Sequence, residues 1–194
     1  MMMAWFDKVR TCVEWDLTDQ VRITKLRHCL DSSLTEVIES LGEQLVRFKG
    51  MRFLMVNARF VQRLHDVLRE WLVGLLDGTF DDEYVQRRWA FASGLGEIDL
   101  RFEDIILLRE LTWCQLFEVA QGCNCLGEDP QKLSSTMRAL DKALNLDLAL
   151  IYSVCLEVHN AEMERVLLDR FLRITGFSRT LYENLAGTRM RTKT

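Results

Sequence analysis

Apolar residues recur at three- and four-residue steps along almost the whole chain, and no stretch alternates as a half-buried strand would. The pattern predicts helices throughout. A short first helix would include Trp5, Phe6 and Val9. Thr18 is a candidate N-cap for a second helix, with Val21, Leu26 and Leu30 following it. Asp31 to Ser33 would cap a third, whose stripe is Leu34, Val37, Ile38, Leu41 and Leu45 and which Gly50 ends. Residues 57–77 read as a longer helix carrying Phe60, Leu64, Val67, Leu68, Trp71 and Leu75, closed by Gly78 as a left-handed cap. "FDDEYVQRRWAFAS" reads as another, with Asp81 to Glu83 at the positive end of its dipole. Gly94 and Gly96 bracket Leu95 and interrupt it. From Phe102 to about Gln121 the chain is apolar nearly all round, which predicts burial on several sides.

"GCNCLGEDP" is the clearest loop. After Pro130, Leu140, Leu144, Leu148, Ile151, Cys155 and Val158 hold one helical face. A second set, Leu168, Phe171, Thr175, Ser178, Leu181 and Leu185, keeps the same stepping across Gly176. That length exceeds an ordinary globular helix and predicts a helix that leaves the domain toward a coiled coil.

Composition narrows the function. The 194 residues suit one domain with an appended element, and one proline with ten glycines permits long helices. A net charge of −4 and a pI near 5.5 leave no nucleic-acid footprint. No apolar run reaches the ~20 residues of a membrane span, and "MMMAWFDKV" lacks the regions of a signal peptide. The six cysteines, at 12, 29, 114, 123, 125 and 155, then fit reduced thiols in the cytoplasm. Cys123 and Cys125 have the only suggestive spacing. A structural zinc site needs four ligands, usually two such pairs, so loop cysteines are the simpler reading. There is no phosphate loop, nucleophile elbow or kinase signature, and no enzyme activity is expected. Trp71, Trp89 and Trp113 fall on apolar stripes and read as core.

Three segments resemble the sensor globins, the domains that precede kinase, cyclase or chemotaxis output domains in bacteria. "LLDGTFDDEYVQRR" is similar to the family's link between the distal-side and proximal-side helices. "ALDKALNLDLALIYSV" resembles its last globin helix, and "VIESL" the start of its second core helix. Together they cover most of residues 20–160 in the family's order and spacing. The resemblance implies an all-α, globin-like sensor domain over residues 1–160. Its long C-terminal helix would extend into a coiled-coil-like linker or tail, residues 161–194.

In haem-binding members the stretch after the paired basic residues contains a histidine. Here Ala92, Ser93, Ile98 and Leu100 keep the surrounding pattern, but the histidine position falls on Leu95. The same registration puts Leu41 where members carry a distal tyrosine, and Val67 where a hydroxyl can face bound oxygen. Haem iron needs an axial imidazole, thiolate, thioether or phenolate, and leucine has no lone pair to offer. The chain therefore looks like a non-haem sensor globin, similar to the type at the N-terminus of stressosome scaffold proteins, with no cofactor expected. A core simply packed shut is the plain structural reading of the three apolar positions. His65 is the alternative ligand if haem is bound after all, in a sensor of oxygen, carbon monoxide or nitric oxide with unusual ligation. A binder of an apolar small molecule such as a fatty acid is the third reading. His28 and His159 read as solvated. The resemblance further implies a homodimer through the last globin helices, within residues 101–121 and 131–160. It also implies a signalling output domain or partner protein, with no nucleic acid and no membrane as partner.

Overall fold

The computed structural model describes residues 2–50, 55–95, 100–123, 126, 128–176, 178 and 180. Among these residues seven α-helices form and no strand does. They are α1 (Met2–Cys12), α2 (Leu17–Leu30), α3 (Leu34–Phe48), α4 (Ala58–Leu76), α5 (Asp82–Gly94), α6 (Phe102–Gly122) and α7 (Pro130–Thr175). None is long and apolar enough to cross a membrane. The chain divides between Cys155 and Leu156 into two compact units.

Local chemistry sets the helix ends. Asp16, not Thr18, caps α2: its backbone is extended and its carboxylate accepts the Asp19 N–H at 2.8 Å, which leaves Thr18 inside the first turn. Asn57 accepts from Arg59 and Phe60 at the start of α4, and Asp81 from Tyr84 at the start of α5. Asp129 accepts the N–H groups of Gln131 and Lys132, with Pro130 at the first helical position of α7. The backbone N–H of Asp19 holds the Asp16 carboxyl below its ordinary range, and that of Lys132 does the same for Asp129. Both carboxyls are depressed in the folded state, so their contribution is complete at neutral pH. It is lost as pH falls through the depressed values.

At the other ends, Gly78 takes a left-handed φ of +66°, and Gly176 one of +71°. The Gly176 N–H donates to the Leu172 carbonyl at 3.0 Å, which closes α7 at Thr175. The helix thus ends before Ser178, the next described position of the second apolar set. Leu181 and Leu185, like Gly96, Ile98 and Cys125, lie outside the described residues.

In the first unit, α3 packs against α4 and α6, α2 against the same two helices, and α4 against α5. The core runs through Phe6, Ile23, Leu26, Ile38, Leu41, Leu68, Trp71, Leu72, Leu108, Leu140 and Ile151. Two expectations of burial need correcting. In α6 only the face of Ile105, Leu108, Thr112, Leu116 and Ala120 is buried; Ile106 is exposed, and Leu107, Leu111, Trp113 and Phe117 are half-buried. Trp89 is 39% exposed, because the preceding residue Arg88 takes the inward position on α5.

Among the described residues three carboxylates are buried, and each meets a base from another helix or its end. Asp19 on α2 takes Lys142 of α7 at 2.8 Å, and Asp104 on α6 takes Lys49, at the end of α3, at 2.9 Å. Asp147 on α7 takes Arg88 of α5 at 2.5 Å, with both side chains 2% exposed. Asp147 also accepts the indole N–H of Trp71 at 2.6 Å and a short hydrogen bond from the Tyr84 hydroxyl. Arg88 donates in addition to the Trp71 carbonyl at 2.6 Å and lies over the Tyr84 ring. Burial works most strongly against the charge on Arg88, but the Asp147 carboxylate, Tyr84 and the hydrogen bonds to both together outweigh it and make the guanidinium more basic than usual. Burial raises the Tyr84 hydroxyl well above its ordinary value, so it remains a neutral donor. Gly74 packs against this cluster, where a Cβ would stand 3.4 Å from Arg88 Nη1, at ordinary contact distance.

Removing one partner of a buried pair strands the other charge. Arg88→Ala should cost about 3–5 kcal/mol in urea unfolding at neutral pH, whereas Arg88→Met with Asp147→Leu should cost much less. A loss below about 1 kcal/mol for Arg88→Ala would put the pair on the footing of a surface ion pair.

Candidate functional site

The stretch that ends α5 and the middle of α4 face one another across a small cavity of about 200 Å³. Arg63, Val67 and Glu70 line it from α4, and Ala90, Phe91, Gly94 and Leu95 from the end of α5. Helical spacing explains the α4 contribution, because residues 63, 67 and 70 fall on one face at steps of four and three. Leu95 is the first residue past α5 and is 3% exposed. Two of the three positions singled out in the sequence, Val67 and Leu95, are thus brought together. Leu41 is fully buried in α3 but does not line this cavity.

His65 is placed elsewhere. Its ring lies where α4 crosses α3: a Cβ on Gly42 would stand 3.1 Å from His65 Nε2. That nitrogen is buried and has no hydrogen-bond partner. Gly42 thus gives the ring its room, and the contact is a helix crossing. His28 and His159 are on exposed helix surface, His28 beside Asp31 at 3.6 Å.

The cavity's donor set does not fit a haem. None of its lining side chains is an imidazole, thiolate, thioether or phenolate, the groups that haem iron takes axially. Its volume also falls below the ~300 Å³ at which pockets for drug-sized ligands begin. Among the described residues no group of three or more histidine, cysteine or acidic side chains is placed to hold a metal ion.

Two larger clefts were not apparent in the sequence. One, of about 480 Å³, runs between α6 and the start of α7 over Trp113, Phe117, Leu133 and Met137. The two rings stack with centroids 5.4 Å apart. The other, of about 780 Å³, lies among α2, the end of α6 and the start of α7, and is lined by Val21, Lys25, Cys29, Cys123, Leu126 and Thr136 among others. The half-apolar back of α6 was a signal for the first. For the second no local signal exists, because its walls come from segments about a hundred residues apart.

An all-helical core with a long final helix, and with the middle of α4 facing the end of α5 across a pocket, is a globin-like architecture. The chain belongs to the protoglobin family, whose profile matches residues 2–160. In fold it is similar to the globin domain of the Geobacter sulfurreducens globin-coupled sensor, at a TM-score of 0.66 and 14% sequence identity. That likeness covers 76% of this chain and 95% of the Geobacter domain. No curated protein matches the sequence.

Two glycines test the packing around the site. Gly94 has open space where a Cβ would go, so Gly94→Ala should stabilise by about 0.5–1 kcal/mol. Gly42→Ala should instead cost about 1 kcal/mol through the His65 ring, and the cost should vanish when His65→Ala is added. Urea unfolding of the wild type, the three single variants and the Gly42→Ala, His65→Ala double checks both; an uncoupled Gly42–His65 pair would show that the ring is not wedged at the crossing.

Proposed function

We propose that the domain is a haem-free sensory globin that acts in signal transduction, by pairing with a second copy and contacting a signalling partner, and not by catalysis. It would be a domain of the kind carried by stressosome scaffold proteins. The observation that carries the reading is Leu95. It faces Val67 across a cavity with no axial donor, in a chain whose family profile spans the whole helical core. A haem reading needs another ligand, and the nearest imidazole on α4, His65, is turned to Gly42 on α3. Hemin titration of the purified protein, followed at the Soret band, should show only weak uptake without saturation. A saturable one-to-one complex with a sharp low-spin spectrum would overturn the proposal.

Pairing is supported by the outer faces of the last two globin helices. Trp113 and Phe117 on α6 stack over a groove that continues onto Leu133 and Met137 of α7. Ile106 on α6 and Tyr152 on α7 are exposed besides. A two-fold dimer would lay these faces on the same faces of a second chain, as closed symmetry requires of an isologous contact. In the second unit Leu156, Met163, Leu167, Phe171 and Ile174 are exposed at steps of seven, four, four and three. This spacing suits packing against the equivalent helix of a partner copy, which would pass a shift at the dimer contact along α7. Sedimentation at micromolar concentration should give a dimer of the 22.7 kDa chain, and Trp113→Glu should shift it toward monomer. A wild-type protein that stays monomeric under those conditions removes the pairing from the mechanism.

A further inference from the structure

Cys29 is on the last turn of α2, and Cys123 is the residue that ends α6. They are 94 positions apart in sequence, yet their sulfurs stand 2.8 Å apart. Both side chains are part-buried, and both form part of the wall of the 780 Å³ cleft. The same cleft is lined by Val21, which is 51% exposed, and by the exposed Lys25, so a small solute reaches it from solvent. Two sulfurs already in contact and next to an accessible cavity have little distance to cover to bond.

We propose that Cys29 and Cys123 are a redox modification site, at which a hydroperoxide converts the two thiols into a disulfide that ties the end of α2 to the end of α6. The thiolate of one cysteine attacks the peroxide O–O bond, gaining a hydroxyl as a sulfenic acid and releasing water or an alcohol. The sulfur of the second then attacks the sulfenyl sulfur. The S–S bond forms as the S–O bond breaks, and the hydroxyl leaves with the thiol proton as water. Two electrons pass from the sulfur pair to the peroxide, and a dithiol reductant returns them.

A link across so many residues removes much of the freedom of the unfolded chain, so the oxidised form should be the more stable one. The test uses the full chain, reduced, desalted and treated with equimolar hydrogen peroxide. Peptide mapping without reductant should find Cys29 joined to Cys123 within one chain. The melting temperature should rise by on the order of 10 °C and return with dithiothreitol. Cys29→Ser and Cys123→Ser should each abolish both the link and the shift, and Cys29→Ala serves if the serine disturbs α2. A link from either cysteine to Cys125, a link between chains, or sulfinic acid without any link would overturn the proposal. So would thiols that stay unmodified at excess peroxide.

Discussion

The ion pair between Arg88 and Asp147 is the contact on which the helical unit depends. A guanidinium and a carboxylate taken out of water are costly unless nearly every donor and acceptor is satisfied. Here Asp147 accepts from Trp71, Tyr84 and Arg88, and Arg88 spends a further N–H on the Trp71 carbonyl. The geometry works only if α4, α5 and α7 meet in one register. A slip of one residue in any of them would bury a charge without its partner. The pairs of Asp19 with Lys142 and Asp104 with Lys49 extend the same constraint to α2, α3 and α6. The apolar core supplies the drive to collapse, and these buried charges select one arrangement of it.

The helices themselves were legible in the sequence, because a 3.6-residue period and capping side chains are local signals. The end of α5 at Gly94 and the left-handed Gly78 lie where the pattern put them. What the pattern could not convey was which face of α6 turns inward. Its apolar residues surround the helix, and burial of Leu108 against exposure of Ile106 is decided by neighbours far away in the chain. The start of α2 at Asp16 was missed for a smaller reason: two residues with capping side chains lie two positions apart, and only backbone conformation separates them. α7 stops at Thr175 because Gly176 turns left-handed, a conformation that periodicity alone does not register.

At the site, the sequence pattern singled out Leu95 and Val67 through the flanking motif, and the structure places the two on one cavity. Leu41 was grouped with them by sequence alignment but is enclosed in the core apart from that cavity. The role of "QRR" and "NLD" was not legible. Those residues marked the resemblance, yet nothing in a linear reading says that Arg88 of one meets Asp147 of the other. Arg88 and Asp147 hold helices together and line none of the three cavities described above. The residues that carry the family likeness are thus, in part, residues of the fold and not of the pocket.

The clamp also sets an order on biosynthesis. Trp71, Tyr84 and Arg88 leave the ribosome before Asp147, which follows Arg88 by 59 positions. At ordinary elongation rates that gap lasts on the order of seconds, far longer than a helix needs to form. During it, closing α4 onto α5 would bury a guanidinium with no counter-charge, so the nascent helices gain little by docking early. Arg88 stays hydrated, and the half-made chain remains open until α7 arrives with its carboxylate. The buried pair therefore closes only once α7 has been made, and the domain cannot complete its core until its last globin helix is present.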